Sequence, residues 1–324
     1  MTPTLLRTTT LVTALLLAAC GGSTNNESAA TTAAPSPAKP DAVLLQHLSQ
    51  LQQSVAYAED ISAIKKLQKS YSYNLDKGLW TDLAEYFADD ARANYPAGIY
   101  KGKESIRQHL YRNVGGVEMG QVGLGDNRLY NHMNIQPVVN LDTGGTTGRG
   151  RWRAMAMFGS YGSPSGTWAE GVYNMRYVKD NGVWKIQDLD YHSGFGASYA
   201  TGWGATEDAP PRNGGVRNLP HPADEARNMA CEGFPQSCVA PFLYGNLGTT
   251  EDGSIWQSST VPALPADTDY AVLTGELLQR AQILRDEQQI ENLQRIYGFY
   301  IDRAMWDKAA ALFASDGTIE YGQQ

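Results

Sequence analysis

Apolar side chains recur every three or four residues between residues 60 and 76, which is the spacing of one face of an α-helix. The positions that carry them are Ile61, Ile64, Leu67, Tyr71 and Leu75. Gly78 is expected to end this helix. A second, shorter helix is predicted over residues 80–87, an extended run over the letters ADDARANY, and a third helix over GKESIRQHL.

After residue 128 the pattern changes to that of β-strands. Four segments show it: LYNHMNIQPVVNLD, GRWRAMAMFGSY, TWAEGVYNMRYVKD and VWKIQDLDYHSGF. Turn-forming residues separate them in DTGGTTG, GSPSG and DNG, and the last of these is a strong hairpin signal. Three helices followed by a meander of long antiparallel strands predict an α+β fold.

The first two helices have a counterpart near the C-terminal end of the sequence. Residues 60–95 align with residues 286–321 at a constant offset of 226, without a gap, and twelve of the thirty-six positions are identical. The identities form an ordered polar and aromatic set that includes Asp60/Asp286, Gln68/Gln294, Tyr71/Tyr297, Asp76/Asp302, Trp80/Trp306 and Tyr95/Tyr321. Two unrelated amphipathic helices would not share such a set, so we interpret the second stretch as a partial copy.

The partial copy contains the first two helices of the unit but neither its third helix nor its sheet. A complete unit needs about 130 residues, and residues 276–324 are fewer than half of that number. The expectation is a truncated form of a longer tandem protein, in which Asp302 and Tyr321 would line a second pocket. The alternative is that the C-terminal helices dock on the first unit and bury the apolar face formed by Ile290, Leu293, Tyr297, Trp306 and Phe313.

The first twenty residues have the pattern of an export signal. Arg7 precedes an apolar run over residues 11–19 that is too short to span a bilayer, and two alanines stand before Cys20. This arrangement resembles the lipobox of bacterial lipoproteins. The resemblance implies that residues 1–19 are removed, that Cys20 carries a lipid, and that the protein faces the periplasm in the cell envelope. Gly21, the residue after the cysteine, is compatible with sorting to the outer membrane. A plain secretory signal is the alternative.

Composition excludes some classes of partner and indicates how the segments outside the main unit are organised. Residues 20–41 hold no large apolar side chain and are predicted to form a flexible tether. A net charge of −8 without a basic run argues against nucleic acid or an anionic lipid surface as partner, so the membrane is contacted only through the anchor. Residues 201–270, rich in Gly, Pro and Asn, are predicted to be a connector that drapes over the first unit. Its pair Cys231 and Cys238 is predicted to form a local disulfide.

The order of these motifs resembles a known family. The pattern D-x-x-x-W-x-x-L-x-x-x-F-A-x-D-A, a His-bearing strand and Y-V-x-x-x-G-V-W-K-I are similar to the SnoaL-like domain of the nuclear-transport-factor-like superfamily, over about residues 55–200. The resemblance implies that residues 42–200 form a cone in which three helices pack on a curled antiparallel or mixed sheet, with residues 271–324 as a helical partial repeat. It also implies a dimer through the outer sheet face.

The scytalone-dehydratase branch of that superfamily supplies candidate catalytic residues. Asp76 matches its aspartate four residues before the tryptophan, Tyr95 its tyrosine, and His132 the first of its two histidines. The second histidine is missing, and Glu170 or Trp168 stands in the corresponding strand. The resemblance implies that His132 is the general base, that Asp76 orients or charge-stabilises it, that Tyr95 donates to an enolate oxygen, and that Glu170 is the acid.

Structural interpretations of the same residues stay open. Asp76 could cap a helix, His132 could be a structural histidine, and Trp80 is better explained as a core residue. His192 lies at the end of the last predicted strand and is a more distant candidate. The predicted pocket is lined by aromatic side chains: Tyr71, Trp80, Trp152, Trp168 and Tyr173.

Two functions follow from these observations. The first is a cofactor-free lyase or isomerase that acts on a small, mostly apolar carbonyl or hydroxyl compound. The second is a lipoprotein that binds a hydrophobic ligand or a protein without turning it over, which the missing histidine favours. The sequence carries no metal or nucleotide motif, so no cofactor is predicted.

Overall fold

The computed structural model describes residues 42–163, 166–202, 218–227, 239–245 and 263–320. The predicted signal and tether with Cys20, the cysteine pair Cys231 and Cys238, and Tyr321 lie outside the described residues.

The described helices and strands are grouped along the chain, with four consecutive strands after the first helices, which confirms the predicted α+β fold class. In chain order the elements are α1 (Ala42–Lys77), α2 (Trp80–Ala84), β1 (Phe87–Tyr95), β2 (Gly98–Lys101), α3 (Gly102–Gln108) with a π-helical segment (His109–Gly115), β3 (Arg128–Leu141), β4 (Thr147–Ser160), β5 (Thr167–Asp180), β6 (Val183–Ser198), α4 (Tyr270–Asp302) and α5 (Trp306–Ala310). None of the helices in the described part of the chain combines the length and apolar character needed to cross a membrane.

The six strands form one mixed sheet in the order β2-β1-β6-β5-β4-β3. Strands β3 to β6 form the predicted antiparallel meander, β1 pairs with β2 in antiparallel fashion, and β1 runs parallel to β6. One face of the sheet, here called the inner face, packs against α1. The main apolar core lies between them and includes Ile64, Leu75, Trp152, Met175, Ile186 and Leu189.

The prediction for the second helix was wrong at its C-terminal end. The helix stops at Ala84, and Phe87 is already the first residue of β1, paired with Ile186 of β6. The side chain of Phe87 is fully buried there. Its apolar spacing from Leu83 fits a helix, but pairing with a central strand buries the same side chain and also satisfies the backbone.

Helix α4 lies alongside α1 and contacts it through polar side chains. Arg280 makes a bidentate bond with Glu59 at 2.8 and 2.6 Å, and Lys69 bonds with Glu291 at 2.8 Å. The contacts advance in the same direction along both helices, so the two helices run parallel. Exposed ion pairs of this kind contribute at most about 1 kcal/mol each.

The apolar face of the C-terminal helices is largely exposed. The exposed fractions are 68% for Ile290, 46% for Leu293, 62% for Trp306 and 39% for Phe313. Tyr297 is partly buried and its ring lies 5.8 Å from that of Phe313. The alternative in which this face is buried against residues 55–200 is therefore wrong for those four side chains.

Two described parts of the segment between residues 201 and 270 lie against the sheet. Residues 218–227, here called the strap, bridge to the edge strand β2, where the Ile99 N–H donates to the Glu225 carbonyl at 2.9 Å. Residues 239–245 cover the other face, here called the outer face, where Arg151 donates to the Pro241 carbonyl at 2.9 Å and lies 4.1 Å from the centre of the Phe242 ring.

Gly78 ends α1 by adopting a left-handed conformation. Its φ is +66°, its N–H donates to the Leu75 carbonyl, and the Leu79 N–H donates to the Asn74 carbonyl at 2.9 Å. This pair of hydrogen bonds is the Schellman motif. The same bonds recur around Ala304, which has φ 53° and occupies the position of Gly78 at the offset of 226. The local sequence therefore produces one helix–turn–helix geometry in both places.

A substitution at Gly78 tests this account. Gly78→Ala is expected to lower the free energy of unfolding by at least about 1–2 kcal/mol, the cost of a left-handed alanine. A Cβ there would also lie 2.3 Å from the carbonyl carbon of Gly123. The matched control is Ala304→Gly, which removes the same strain and should not destabilise the protein. Urea unfolding of both variants is the measurement, and wild-type stability of Gly78→Ala would contradict the argument.

Candidate functional site

Strand register places His132 on the inner face of the sheet, on the same side as Tyr173. His132 pairs with Ala156, and Ala156 pairs with Ala169, so these side chains point to the same face. Tyr173 lies four residues after Ala169 on the same strand and therefore points to that face as well. The His132 Nε2 atom lies 3.1 Å from the Tyr173 hydroxyl, and both side chains are buried. The imidazole is thus held by a phenol in the core between sheet and helix.

Two further phenols continue from Tyr173. The hydroxyls of Tyr71 and Tyr95 are 3.1 Å apart. The rings of Tyr71 and Tyr173 meet edge to face, with their centres 6.2 Å apart. The structure therefore joins two of the predicted catalytic residues, Tyr95 and His132, through two residues predicted to line the pocket.

Burial keeps this whole group uncharged at neutral pH. It raises the pKa of Tyr71 to about 12, an effect that the nearby hydroxyls of Tyr95 and Tyr173 partly offset, and it raises the pKa of Tyr95 and Tyr173 well above the ordinary value. It lowers the pKa of His132 from 6.5 to about 4, because the charged imidazolium loses its hydration. The group is a neutral imidazole with three neutral phenols.

Asp76 reaches His132 through the backbone and not through the ring. Strand β3 is an edge of the sheet, and the His132 N–H donates to the Asp76 carboxylate at 2.7 Å. Burial raises the pKa of Asp76, while this N–H lowers it. Asp76 thus fixes the position of the backbone that carries the imidazole, whereas the sequence predicted contact with the ring itself.

Glu170 lies on the outer face of the sheet and is not brought together with the other candidates. It pairs with Met155, while Tyr173, three residues further on, pairs with Trp152, so the side chains of Glu170 and Tyr173 point to opposite faces. The nearest cation is Arg153 at 3.5 Å. Burial raises the pKa of Glu170 and the charge of Arg153 opposes this change.

The three predicted tryptophans of the pocket lie in different environments. Trp168 lies on the outer face and stacks with Tyr199, with ring centres 6.0 Å apart. Trp80, the first residue of α2, is buried against Tyr111 of the π-helical segment, and its Nε1–H donates to the Gly123 carbonyl at 2.9 Å. This is the core role that the sequence favoured for Trp80. Trp152 lies on the inner face.

A second buried polar chain on the inner face was missed by the sequence analysis. The Trp152 Nε1–H donates to the Tyr177 hydroxyl at 3.0 Å, and this hydroxyl donates to the side-chain amide oxygen of Gln68 (Oε1) at 2.8 Å. Gln68 is fully buried. Its position on the buried stripe of α1, between Ile64 and Tyr71, was the available signal, but a polar side chain does not by itself indicate a buried position.

His192 takes part in a separate cluster at the end of β6. Its Nε2 lies 2.9 Å from the Asp190 carboxylate, which also accepts from Arg227 of the strap at 2.7 Å. The Arg227 guanidinium donates as well to the carbonyls of Asn94 and Tyr191. The cluster fixes the strap to the strands and leaves His192 outside the phenol group. The described residues contain no group of His, Cys, Asp or Glu side chains arranged to hold a metal ion.

Comparison with known proteins identifies similar folds. A family model for the SnoaL-like domain matches residues 56–190 and 282–324, more than half of the chain. A scytalone dehydratase candidate from Novosphingobium aromaticivorans DSM 12444 has 21% identity, with 44% of this chain and 90% of that chain covered and a TM-score of 0.39. A hexachlorocyclohexane dehydrochlorinase of LinA type 3 from Novosphingobium barchaimii LL02 has 18% identity, with 49% and 99% covered and a TM-score of 0.40. No curated protein matches the chain.

The buried histidines predict how stability depends on pH. The folded-state pKa is about 4 for His132 and about 3 for His109, where burial and then the charge of His221 lower it, against an ordinary 6.5. Below pH 6.5 the unfolded chain therefore binds protons that the folded protein does not. Above about pH 6.5 both histidines are neutral in the folded and the unfolded state, so the protein keeps its full stability. As the pH falls from there towards 4, each histidine should lower the free energy of unfolding by about 1.4 kcal/mol per pH unit.

Urea unfolding between pH 4.5 and 7.5 measures this slope. His132→Asn should reduce the slope by about 1.4 kcal/mol per pH unit, and His109→Asn should do the same independently. An unchanged slope in either variant would contradict the assignment of that histidine as buried and neutral.

Proposed function

The chain belongs to the SnoaL-like domain family, and on that premise we propose that its inner sheet face carries a cofactor-free proton-transfer site of a lyase or isomerase. The substrate class is a small, mostly apolar carbonyl or hydroxyl compound. The single observation that carries the proposal is the neutral, buried His132, bonded at Nε2 to the hydroxyl of the buried Tyr173.

The chemistry follows from the protonation states. A neutral imidazole can remove a proton alpha to a carbonyl group, and a positioned base of this kind contributes about 10²–10⁴-fold to the rate. When Nε2–H donates to Tyr173, Nδ1 carries the lone pair that accepts the proton. The negative charge then develops on the substrate oxygen, where a neutral phenol such as Tyr95 can stabilise it by donating a hydrogen bond.

Asp76 supports this site as a positioning residue. Its bond to the His132 N–H holds an edge strand whose donor would otherwise face away from the sheet. A second contact between α1 and β3, from the Asn134 amide to the Ser72 hydroxyl at 2.7 Å, holds the same strand.

Glu170 has no part in the proposal, because it lies on the other face. The phenols are the proton donors that remain for a leaving hydroxyl group.

A second candidate function is ligand binding without turnover. The low pKa of His132, about 4, makes its imidazole a weak base, which favours a role as a neutral hydrogen-bonding group. The same phenols would then bind the oxygen of a carbonyl or hydroxyl ligand. In either case we propose that Cys20 carries the lipid that places the site at the cell envelope.

Substitution of His132 separates the two candidates. Small aromatic ketones and alcohols would first be screened by thermal shift, and those that raise Tm would be tested for turnover with the wild-type protein and with His132→Ala. The enzyme proposal expects a fall in kcat of about 10²–10⁴-fold with the ligand-induced shift retained.

His192→Ala is the matched control, since it removes a histidine outside the phenol group and should leave kcat unchanged. Ligands that bind without any turnover by the wild-type protein would favour the second candidate. Full turnover by His132→Ala would contradict the first.

A further inference from the structure

Two side-chain amides between α1 and the inner sheet face each have a buried polar atom without a hydrogen-bond partner among the described residues. In Gln68 on α1 this atom is the donor Nε2, and in Asn134 on β3 it is the acceptor Oδ1. Buried polar groups in folded proteins are nearly always paired, and leaving one unpaired costs free energy. A donor and an acceptor in this state point to a ligand group that can pair with both.

The hydrogens of the neighbouring bonds determine which atom of Gln68 remains. The indole N–H of Trp152 can only donate, so the Tyr177 hydroxyl accepts from it at 3.0 Å. That hydroxyl has one hydrogen, which it donates to Gln68 Oε1 at 2.8 Å. The amide oxygen of Gln68 is therefore already used, and its Nε2 hydrogens require another acceptor. Because Gln68 is fully buried, bulk water does not supply that acceptor.

Ser72 connects the positions of the two amides. The Asn134 Nδ2 atom donates to the Ser72 hydroxyl at 2.7 Å, and Ser72 lies one helical turn after Gln68. Residues four apart on a helix have their Cβ atoms about 5–6 Å apart, so one ligand atom between them can reach both amides. Asn134 is partly exposed on the edge strand β3, which gives a ligand an approach from the border of the sheet.

We infer that Gln68 and Asn134 form a binding site for a hydroxyl group of the substrate. The hydroxyl oxygen accepts from Gln68 Nε2, and the hydroxyl hydrogen is donated to Asn134 Oδ1. A carbonyl oxygen could pair with the first amide but would leave Asn134 Oδ1 without a donor. The inference rests on the proposed function and narrows its substrate class to compounds that carry a hydroxyl group away from the reacting carbon.

Strand geometry sets the distance between this hydroxyl and the reacting carbon. His132 and Asn134 share the inner face and are two residues apart, which is about 7 Å along a strand. Their paired residues on β4, Ala156 and Ala154, have small side chains. A substrate with its acidic carbon at His132 therefore reaches the two amides with a hydroxyl on the far side of one six-membered ring.

The test compares phenylacetone with 4-hydroxyphenylacetone, which differ only in a hydroxyl group at the far end of the ring. Binding of each ketone to the full chain is measured by isothermal titration calorimetry. The wild-type protein should bind the hydroxylated ketone about five- to tenfold more tightly, because it adds one or two hydrogen bonds. Gln68→Met removes the donor at similar side-chain length, so it should abolish this preference and retain the affinity for phenylacetone.

Asn134→Val removes the acceptor and should abolish the preference as well, which keeps the test decisive if Gln68→Met does not fold. Gln294→Met is the matched control, because Gln294 is the counterpart of Gln68 in α4 and is exposed. Loss of the preference in the Gln68 and Asn134 variants but not in this control supports the site.

Three results overturn the inference: equal affinity of the wild-type protein for the two ketones, no binding of either, or a preference that both variants retain. Affinity is measured here without turnover, so the test is separate from that of the proposed reaction. A preference that depends on Gln68 in a protein that converts neither ketone would count only against the reaction.

Discussion

The constraint on which this fold depends is that most polar atoms on the inner sheet face find their partners inside the protein, although Gln68 Nε2 and Asn134 Oδ1 have none among the described residues. The face is filled by side chains that exclude water but carry hydroxyl, amide and imidazole groups, and a buried polar group without a partner costs about 1–3 kcal/mol. Helix α1 supplies the partners from four positions on its buried stripe. Gln68 bonds with Tyr177, Tyr71 with Tyr95, Ser72 with Asn134, and Asp76 with the backbone of His132. The helix therefore fixes the sheet by directional bonds as well as by apolar contact.

The same constraint applies at the two edges of the sheet, where backbone groups would otherwise be open to pairing with another chain. At β3 the carboxylate of Asp76 accepts the His132 N–H. At β2 the strap pairs with Ile99, and Asp224 accepts from both the Lys101 N–H at 2.7 Å and the Ser105 hydroxyl at 2.6 Å. Because one of these edge contacts is made to the residue with the candidate base, protection of the edge and positioning of the site are a single feature.

Sequence patterns predicted the elements well where one signal dominated. The helical spacing over residues 61–75, the hairpin signals and the alternation of β5 each have one physical cause, and the structure has the corresponding elements. The sheet face on which Glu170 lies could not be predicted. Alternation shows which side chains of a strand share a face, but not which of the two faces packs against the helix. The contact of Asp76 depends on β3 being an edge strand, a property of strand order. The link from Tyr95 to His132 joins α1, β1, β3 and β5, which no local pattern brings together.

The C-terminal helices show how much of the site depends on the sheet and how little on the helix. Helix α4 repeats Gln68, Tyr71 and Asp76 as Gln294, Tyr297 and Asp302, and its end has the same turn geometry. Gln294 and Asp302 are nevertheless exposed, whereas Gln68 is fully buried. Local sequence is therefore sufficient for the helix, the turn and the next helix. The shifted pKa values and directed hydrogen bonds of the first unit arise only where six strands enclose the same side chains, so the chemistry proposed here belongs to the packing of α1 on its sheet and not to the repeated motif.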